Sequence, residues 1–487
     1  MEDAIELVFI PAPGMGHLVP AVGTAKLLLQ TRPQLSVTVL IMKLPFATDS
    51  KINSYIDSLL ADDEKDNSRL KLIPPLPEEE AADALKKGHT DMASIFRAFL
   101  DSQKTKVREF VNDQIIHHRR LAGFVVDICF ITMMDVADEF GVPSYVFYPS
   151  GAAMLGLYLH LQTLNDRHGK HALEFEDSDP HHLNISTYSK PFPVNLLPDG
   201  LMDNADGILD GARRLRQAKG VIVNTFFELE RHALESLSKD KSVPPVYPIG
   251  PILNLTGRYD KNRESEKQIL MKWLDDQPAS SVVFLCFGSG GTFPEPQVKE
   301  IAYALERSGQ RFLWALRKPP CPGSLALTEY TNPEEVLPEG FLERTQSIGK
   351  VIGWAPQSLV LAHPSVGGFV SHCGWNSILE SIWFGVPMAT WPMCVDQHGN
   401  AFLLVREIGM AVEIKMDYKI DSKDPPEIVN AKEIEFGITS LMDHYTSNSI
   451  RTKAKEIKEK SMKALEEGGS SLNFVESFFE NVMNNLK

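Results

Sequence analysis

The sequence predicts an α/β protein made of two halves, each an alternation of strands and helices. Three observations predict it. Short apolar runs of strand length lead into Gly-rich turns, Asp or His, and stretches with helical apolar spacing follow. A Pro-rich stretch at 244–256 and a charged run at 258–266 interrupt this pattern, which then restarts. Between 354 and 397, three clusters of polar residues fall just past strand-like runs, where open parallel sheets bind ligands.

In the first half, 5–10 (IELVFI) reads as a buried strand, 11–16 as a turn-rich loop and 18–30 as a helix, which puts His17 at a strand-to-helix junction. Gly14 and Gly16 suggest a dinucleotide fingerprint, but Val19 stands where its third Gly is needed. A strand over 36–41 continues the βαβ pattern. Residues 62–66 read as a charged loop, 74–80 as a Pro/Glu-rich connection and 91–111 as a helix. The run 123–126 is a strand ending in Asp127, followed by a helix over 131–140, a stop at 141–143 and a strand over 144–148. Residues 188–200 are Pro-rich and irregular, and 220–224 is a strand. The expected domain division is 1–250, a linker at 251–268, 269–467 and a terminal helix at 468–487.

The second half opens with a strand over 282–287, a small-residue turn at 288–292, a helix over 297–308 and a strand over 311–316. A surface loop spans 319–338. Residues 350–353 predict a buried strand, with Trp354 just past its end. The run 367–371 predicts another, with His372 at its tip, then a helix over 376–384 that turns Ile378, Leu379 and Ile382 inward. Gly385 suits the left-handed residue that ends a helix, and 386–391 is the next strand, with Asp396 and Gln397 beyond it. Asn430 and Glu433 make a capping box for a helix over 431–443. After a helix over 449–467, Gly468 and Gly469 break the chain. Leu472, Val475, Phe478, Phe479, Val482, Met483 and Leu486 then form one apolar helix face that must be covered.

Composition narrows the function classes. The 487 residues suffice for two or three domains. A net charge of −15 argues against nucleic acid or an anionic membrane surface as partner. No run reaches the length of a transmembrane span, and the apolar run at 5–13 follows acidic residues and is too short for a signal peptide. The five cysteines are scattered without a CxxC pair, which predicts reduced thiols in a cytoplasmic protein without structural zinc.

The polar clusters have a chemistry. An indole such as Trp354 can stack on a flat base. The free N–H groups at the start of the helix near Asn376 make an anion site, to which His372, Asn376 and Ser377 can add donors for a diphosphate. Glu380 can accept from ribose hydroxyls, and Asp396 and Gln397 can meet sugar hydroxyls. Cationic help to the diphosphate is expected from the helix dipole and His372. Ser289, in the turn at 288–292, offers a second anion nest. His17 and Asp127, both at strand ends, would touch if their strands were adjacent, as a base and its orienting carboxylate do.

The segment 354–397 resembles the signature box of plant secondary-product UDP-glycosyltransferases of glycosyltransferase family 1, with W-A-P-Q, H-C-G-W-N-S, E-S and D-Q all in place and no gap. The loop at 9–17 and the strand at 123–130 resemble the family's catalytic-histidine loop and aspartate strand. The resemblance implies two facing Rossmann-like domains of GT-B type and a last helix that returns to the first domain. It implies His17 as base, Asp127 as its partner and inversion at the anomeric carbon. It also implies UDP-sugar contacts by Ser289, Trp354, Ala355, Gln357, His372, Trp375, Asn376, Ser377, Glu380, Asp396 and Gln397. Gln397 at the end of the box, and Trp375 where glucuronic-acid users carry Arg, imply UDP-glucose as co-substrate. Pro149 departs from the family's sugar-touching Thr, and Ser150 stands next to it.

The expectation is a metal-independent, monomeric O-glucosyltransferase of small apolar metabolites such as flavonoids, stilbenoids and other phenolics, or triterpenoids. The acceptor is expected among His17, 73–90, Phe130, 148–159 and 188–201, with Tyr148, Met154, Tyr158, Tyr188 and Phe192 as its aromatic and Met content. An epimerase or hydrolase on the same fold, or a non-catalytic UDP-sugar binder, are the rival readings; turnover without acceptor, or none at all, separates them.

Overall fold

The computed structural model describes residues 5–42, 52–59, 69–73, 92–169, 182–198, 205–255, 263–320, 329–420, 427–443, 445 and 447–486. Among these, two parallel sheets form the frame. The first draws on β1 (Ile5–Ile10), β2 (Leu35–Leu40), β3 (Leu70–Ile73), β4 (Arg120–Asp127) and β5 (Ser144–Tyr148). A small antiparallel pair, β6 (His182–Leu183) and β7 (Phe192–Pro193), lies outside it, and β8 (Val221–Val223) and β9 (Val246–Pro248) complete it, in the order β3-β2-β1-β4-β5-β8-β9. The second contains β10 (Val282–Cys286), β11 (Arg311–Ala315), β12 (Gly349–Ile352), β13 (Val366–Ser371), β14 (Met388–Thr390) and β15 (Ala411–Glu413), in the order β12-β11-β10-β13-β14-β15.

Each sheet is covered on both faces, so its central strands are mostly apolar on both, and the buried Glu6 of β1 is held by Thr38 and Arg119. In β1, Ile5, Leu7 and Phe9 face a core shared with the helix Met15–Thr31, while Val8 and Ile10 face the opposite core. That opposite core runs on without a break into the second sheet's Val282, Phe284 and Phe369. The terminal helix Ser470–Asn484 inserts Val475, Phe478, Phe479 and Val482 into the first sheet's outer core, and Phe478 meets Tyr145 and Tyr247 edge-on at ring separations of 5.0 and 5.4 Å. Met483, read with that apolar face, is exposed at 40%.

Several expectations need adjustment. The Pro-rich stretch at 244–256 does not wholly interrupt the strand pattern: it contains β9, the edge strand of the first sheet, because a Pro needs no ladder N–H at an edge, and β9 falls before the expected linker at 251–268. The run at 350–353 falls on β12, a half-buried edge strand rather than a buried one. The helix expected over 131–140 is a 3-10 segment, Ile128–Met133, followed by the helix Met134–Glu139. Residues 62–66 and 74–80, residues 321–328 of the loop at 319–338 and most of the acceptor segment at 73–90 lie outside the described residues. The capping box at Asn430 and Glu433 forms as read, and Gly385 ends its helix at φ 72°. No described helix is long and apolar enough to cross a membrane.

Candidate active site

Both sheets reverse their strand order at one point, and each reversal opens a crevice at the carboxyl ends of the strands. In the first sheet it lies between β1 and β4, where Ile10 pairs with Val126. In the second it lies between β10 and β13, where Cys286 pairs with Ser371. His17 follows β1, Asp127 ends β4, Ser289 follows β10 and His372 follows β13. The two crevices open on one cavity of about 1430 Å³.

His17 stands in the first turn of its helix rather than before it. Its Nδ1 lies 2.9 Å from Asp127 Oδ2, and the Cys129 backbone N–H donates to Asp127 Oδ1 at 2.9 Å. The His17 side chain is 32% exposed and Asp127 0%, so the imidazole reaches the cavity and the carboxylate stays behind it. Burial depresses the His17 pKa, but the charge and hydrogen bond of Asp127, with help from Asp396, outweigh it and the net direction is up. With Nδ1 engaged, Nε2 is the nitrogen left for a ligand.

On the opposite wall, the helix Trp375–Phe384 begins at Gly374 with no side-chain cap, leaving first-turn N–H groups for an anion. His372 is wedged against two glycines: a Cβ on Gly288 or on Gly374 would lie 2.5 Å from its Nε2. Gly288 also has φ +73°, so glycine is required there twice over. Burial pushes the His372 pKa down to about 4. At neutral pH the ring is therefore an uncharged donor, which corrects the expectation of cationic help. Gln357 Nε2 donates to Ser377 Oγ at 3.0 Å and to Glu380 Oε2 at 2.9 Å, tying three predicted residues together. Burial raises the Glu380 pKa to about 7, the Gln357 bond offsetting part of the shift. Trp354, Ala355 and the exposed Ser289 also line the cavity, and Arg263 lies 5.6 Å from the Trp354 ring centroid.

Three predicted donor residues reach across to the first sheet's side. Asp396 Oδ2 accepts from Ser150 Oγ at 2.5 Å and from Asn400 Nδ2 at 3.0 Å. Asn376 Nδ2 donates to the Gly16 carbonyl at 3.1 Å. The buried Trp375 indole donates to the Asn224 carbonyl at 2.6 Å, so its polar atom serves the interface rather than a ligand. Gln397 is absent from the cavity wall: its Oε1 accepts from the backbone N–H groups of Met393 and Cys394, closing the turn that carries Asp396.

On the acceptor side, Tyr148 and Tyr158 line the cavity, but Phe130, Met154, Tyr188 and Phe192 do not. Phe130 is buried beside Phe99, and Tyr188 and Phe192 pack on Phe402. Sequence reading missed Leu100 and Lys104, and the wall at Asp210–Leu215. Their helices, Met92–Gln114 and Ala205–Leu215, bear no motif, and only the tertiary fold brings them to the cleft.

Residues 242–430 match the family described as UDP-glucoronosyl and UDP-glucosyl transferase. The chain is 48% identical to the UDP-glucose flavonoid 3-O-glucosyltransferase 6 of Fragaria ananassa, over 99% of each chain. Among solved structures, it is similar to a ugt transferase from Siraitia grosvenorii in complex with UDP, at 42% identity and TM-score 0.83, covering 98% of this chain and 100% of that one. It is likewise similar to Medicago truncatula UGT71G1 complexed with UDP-glucose, at 39% identity and TM-score 0.81, covering 98% of both.

Proposed function

The chain belongs to the UDP-glucoronosyl and UDP-glucosyl transferase family, and we propose that it moves glucose from UDP-glucose to a hydroxyl of a small apolar plant metabolite with inversion. Its two Rossmann-like sheets have the GT-B arrangement, and the enzyme is a UDP-glycosyltransferase. The observation that carries the finer reading is that the His17–Asp127 pair and the uncapped helix at Gly374 face one cavity.

In the proposed reaction, His17 Nε2 takes the acceptor proton. The freed oxygen attacks the anomeric carbon as the bond to UDP breaks on the opposite face. Asp127 holds the ring by Nδ1 and stabilises the imidazolium. The helix N-terminus and His372 receive the diphosphate, Glu380 the ribose and Asp396 the glucose hydroxyls. Trp354 stacks on the base. The acceptor lies against Tyr148, Leu155, Tyr158 and Leu100. Flavonols and stilbenes are the first acceptors to assay, and triterpenoids the second.

The test is incubation with UDP-glucose and each acceptor, with the glucoside identified by mass and its anomeric configuration by NMR. A β-glucoside is the expected product. Sugar turnover without acceptor, or an α-linked product, would reject the reading.

A further inference from the structure

The His17–Asp127 pair shares its wall of the cleft with a third donor atom that the transfer reaction does not use. Cys129 stands two residues after Asp127, is exposed, and lines the same cavity. Its backbone N–H donates to Asp127 Oδ1 at 2.9 Å, which holds the start of this segment on the carboxylate. A ring nitrogen of His17, a carboxylate oxygen of Asp127 and Sγ of Cys129 all lie within 4.8 Å of one another, the one such trio among the described residues. Three different ligand types on one wall define the chemistry. Nitrogen, thiolate and a single carboxylate suit Zn²⁺, Co²⁺ or Cu²⁺, whereas Mg²⁺ and Ca²⁺ require shells of oxygen. A tetrahedral zinc ion holds such ligands roughly 3.3–3.6 Å apart, given Zn–N near 2.0 Å and Zn–S near 2.3 Å. Closing the trio thus takes side-chain movements of about 1 Å from separations of at most 4.8 Å.

We propose that His17, Asp127 and Cys129 form an inhibitory site for a thiophilic divalent cation. On binding, the Cys129 thiol gives its proton to solvent and the sulfur bonds the metal. The metal bonds His17 Nδ1, the nitrogen beside Asp127; the proton Nδ1 carried passes through solvent to Nε2, which then has no lone pair for the acceptor proton. The site rests on the same His17 as the proposed reaction, so its test begins with binding alone.

Co²⁺ is titrated into the purified protein with neither substrate present. A thiolate-to-cobalt charge-transfer band in the near ultraviolet is expected, bleached by Zn²⁺. It should vanish in Cys129→Ser and persist in Cys394→Ser, which removes the other exposed thiol among the described residues. UDP binding by each variant reports that it is folded. In turnover assays Zn²⁺, but not Mg²⁺, is expected to inhibit competitively with acceptor. Cys129→Ser should raise the zinc inhibition constant at least tenfold, each variant being measured against its own metal-free rate. No band in the wild-type protein, or the same band and inhibition constant in Cys129→Ser, would overturn the site. A normal band in a protein that transfers no glucose would count against the reaction alone.

Discussion

Two histidines flank the reversal points of the two sheets, His17 in the first turn of the helix after β1 and His372 directly after β13, and the fold gives them opposite electrostatics. His17 leans on a buried carboxylate 2.9 Å away, and its pKa is raised despite burial. His372 has no such partner, sits between Gly288 and Gly374, and is driven down to about 4. Residue type and nearness to a sheet's reversal point therefore do not fix a histidine's role. The neighbour does: a carboxylate makes a proton acceptor that can hold charge, and a glycine-lined slot makes a neutral donor.

This contrast can be broken by mutation. The largest effect is expected for His17→Ala: turnover should fall by about 10²–10⁴-fold, the contribution of a general base, while UDP affinity measured by calorimetry stays within twofold. Near-normal turnover would remove His17 from the chemistry.

Asp127→Asn should lower turnover by about 10²-fold and move the pH profile as well. Catalysis needs neutral His17. In the wild-type enzyme kcat/KM should rise with pH through a value above the ordinary imidazole pKa, because the folded pKa is raised. Without the carboxylate, burial is opposed only by the weaker pull of Asp396, so the acid limb should move to lower pH. A limb that stays in place means another group sets it.

On the other side, Gly374→Ala keeps an allowed φ of −61° but places a Cβ against the His372 ring. Taken from the donor site, an overpacking cost of about 1–3 kcal/mol corresponds to UDP binding weakened roughly five- to 150-fold, with the acid limb of turnover unmoved. An unchanged UDP dissociation constant would mean that the slot is not a donor site.

Glu380 adds a pH test that His17 cannot mimic. Its pKa of about 7 in the free protein means that ribose hydroxyls, which need the carboxylate as acceptor, bind the deprotonated form. UDP affinity should thus rise roughly tenfold from pH 6 to pH 8 with about one proton released below pH 7, and this slope should flatten in Glu380→Gln. The smallest effect is expected for Ser150→Ala. Losing its bond to Asp396 should raise the KM for UDP-glucose about three- to tenfold and narrow the preference over UDP-galactose. An unaltered preference would leave Ser150 as a structural contact between the halves.

Much of this molecule was legible in its sequence because the signals are local. Alternating apolar runs, Gly385 and the Asn430 capping box depend on neighbours within a turn or two, and they predicted the strands, the helix ends and the two-part α/β design. Within the box at 354–397, β13 and β14 pair directly, but β12, which precedes Trp354, lies at the sheet's edge with β11 and β10 between it and β13, so only the packed sheet brings Trp354 to the others. Local pattern could not tell which side chains the other half claims. Trp375, Asn376 and Asp396 bond to groups 151, 360 and 246 residues away, and Gln397 turns back on its own loop. The same holds for the meeting of His17 and Asp127 across 110 residues. Such pairings depend on which strands become neighbours and how the two sheets face, and a pKa depends on the charges and burial that result. Sequence periodicity carries the first kind of information; the second exists only once the chain is packed.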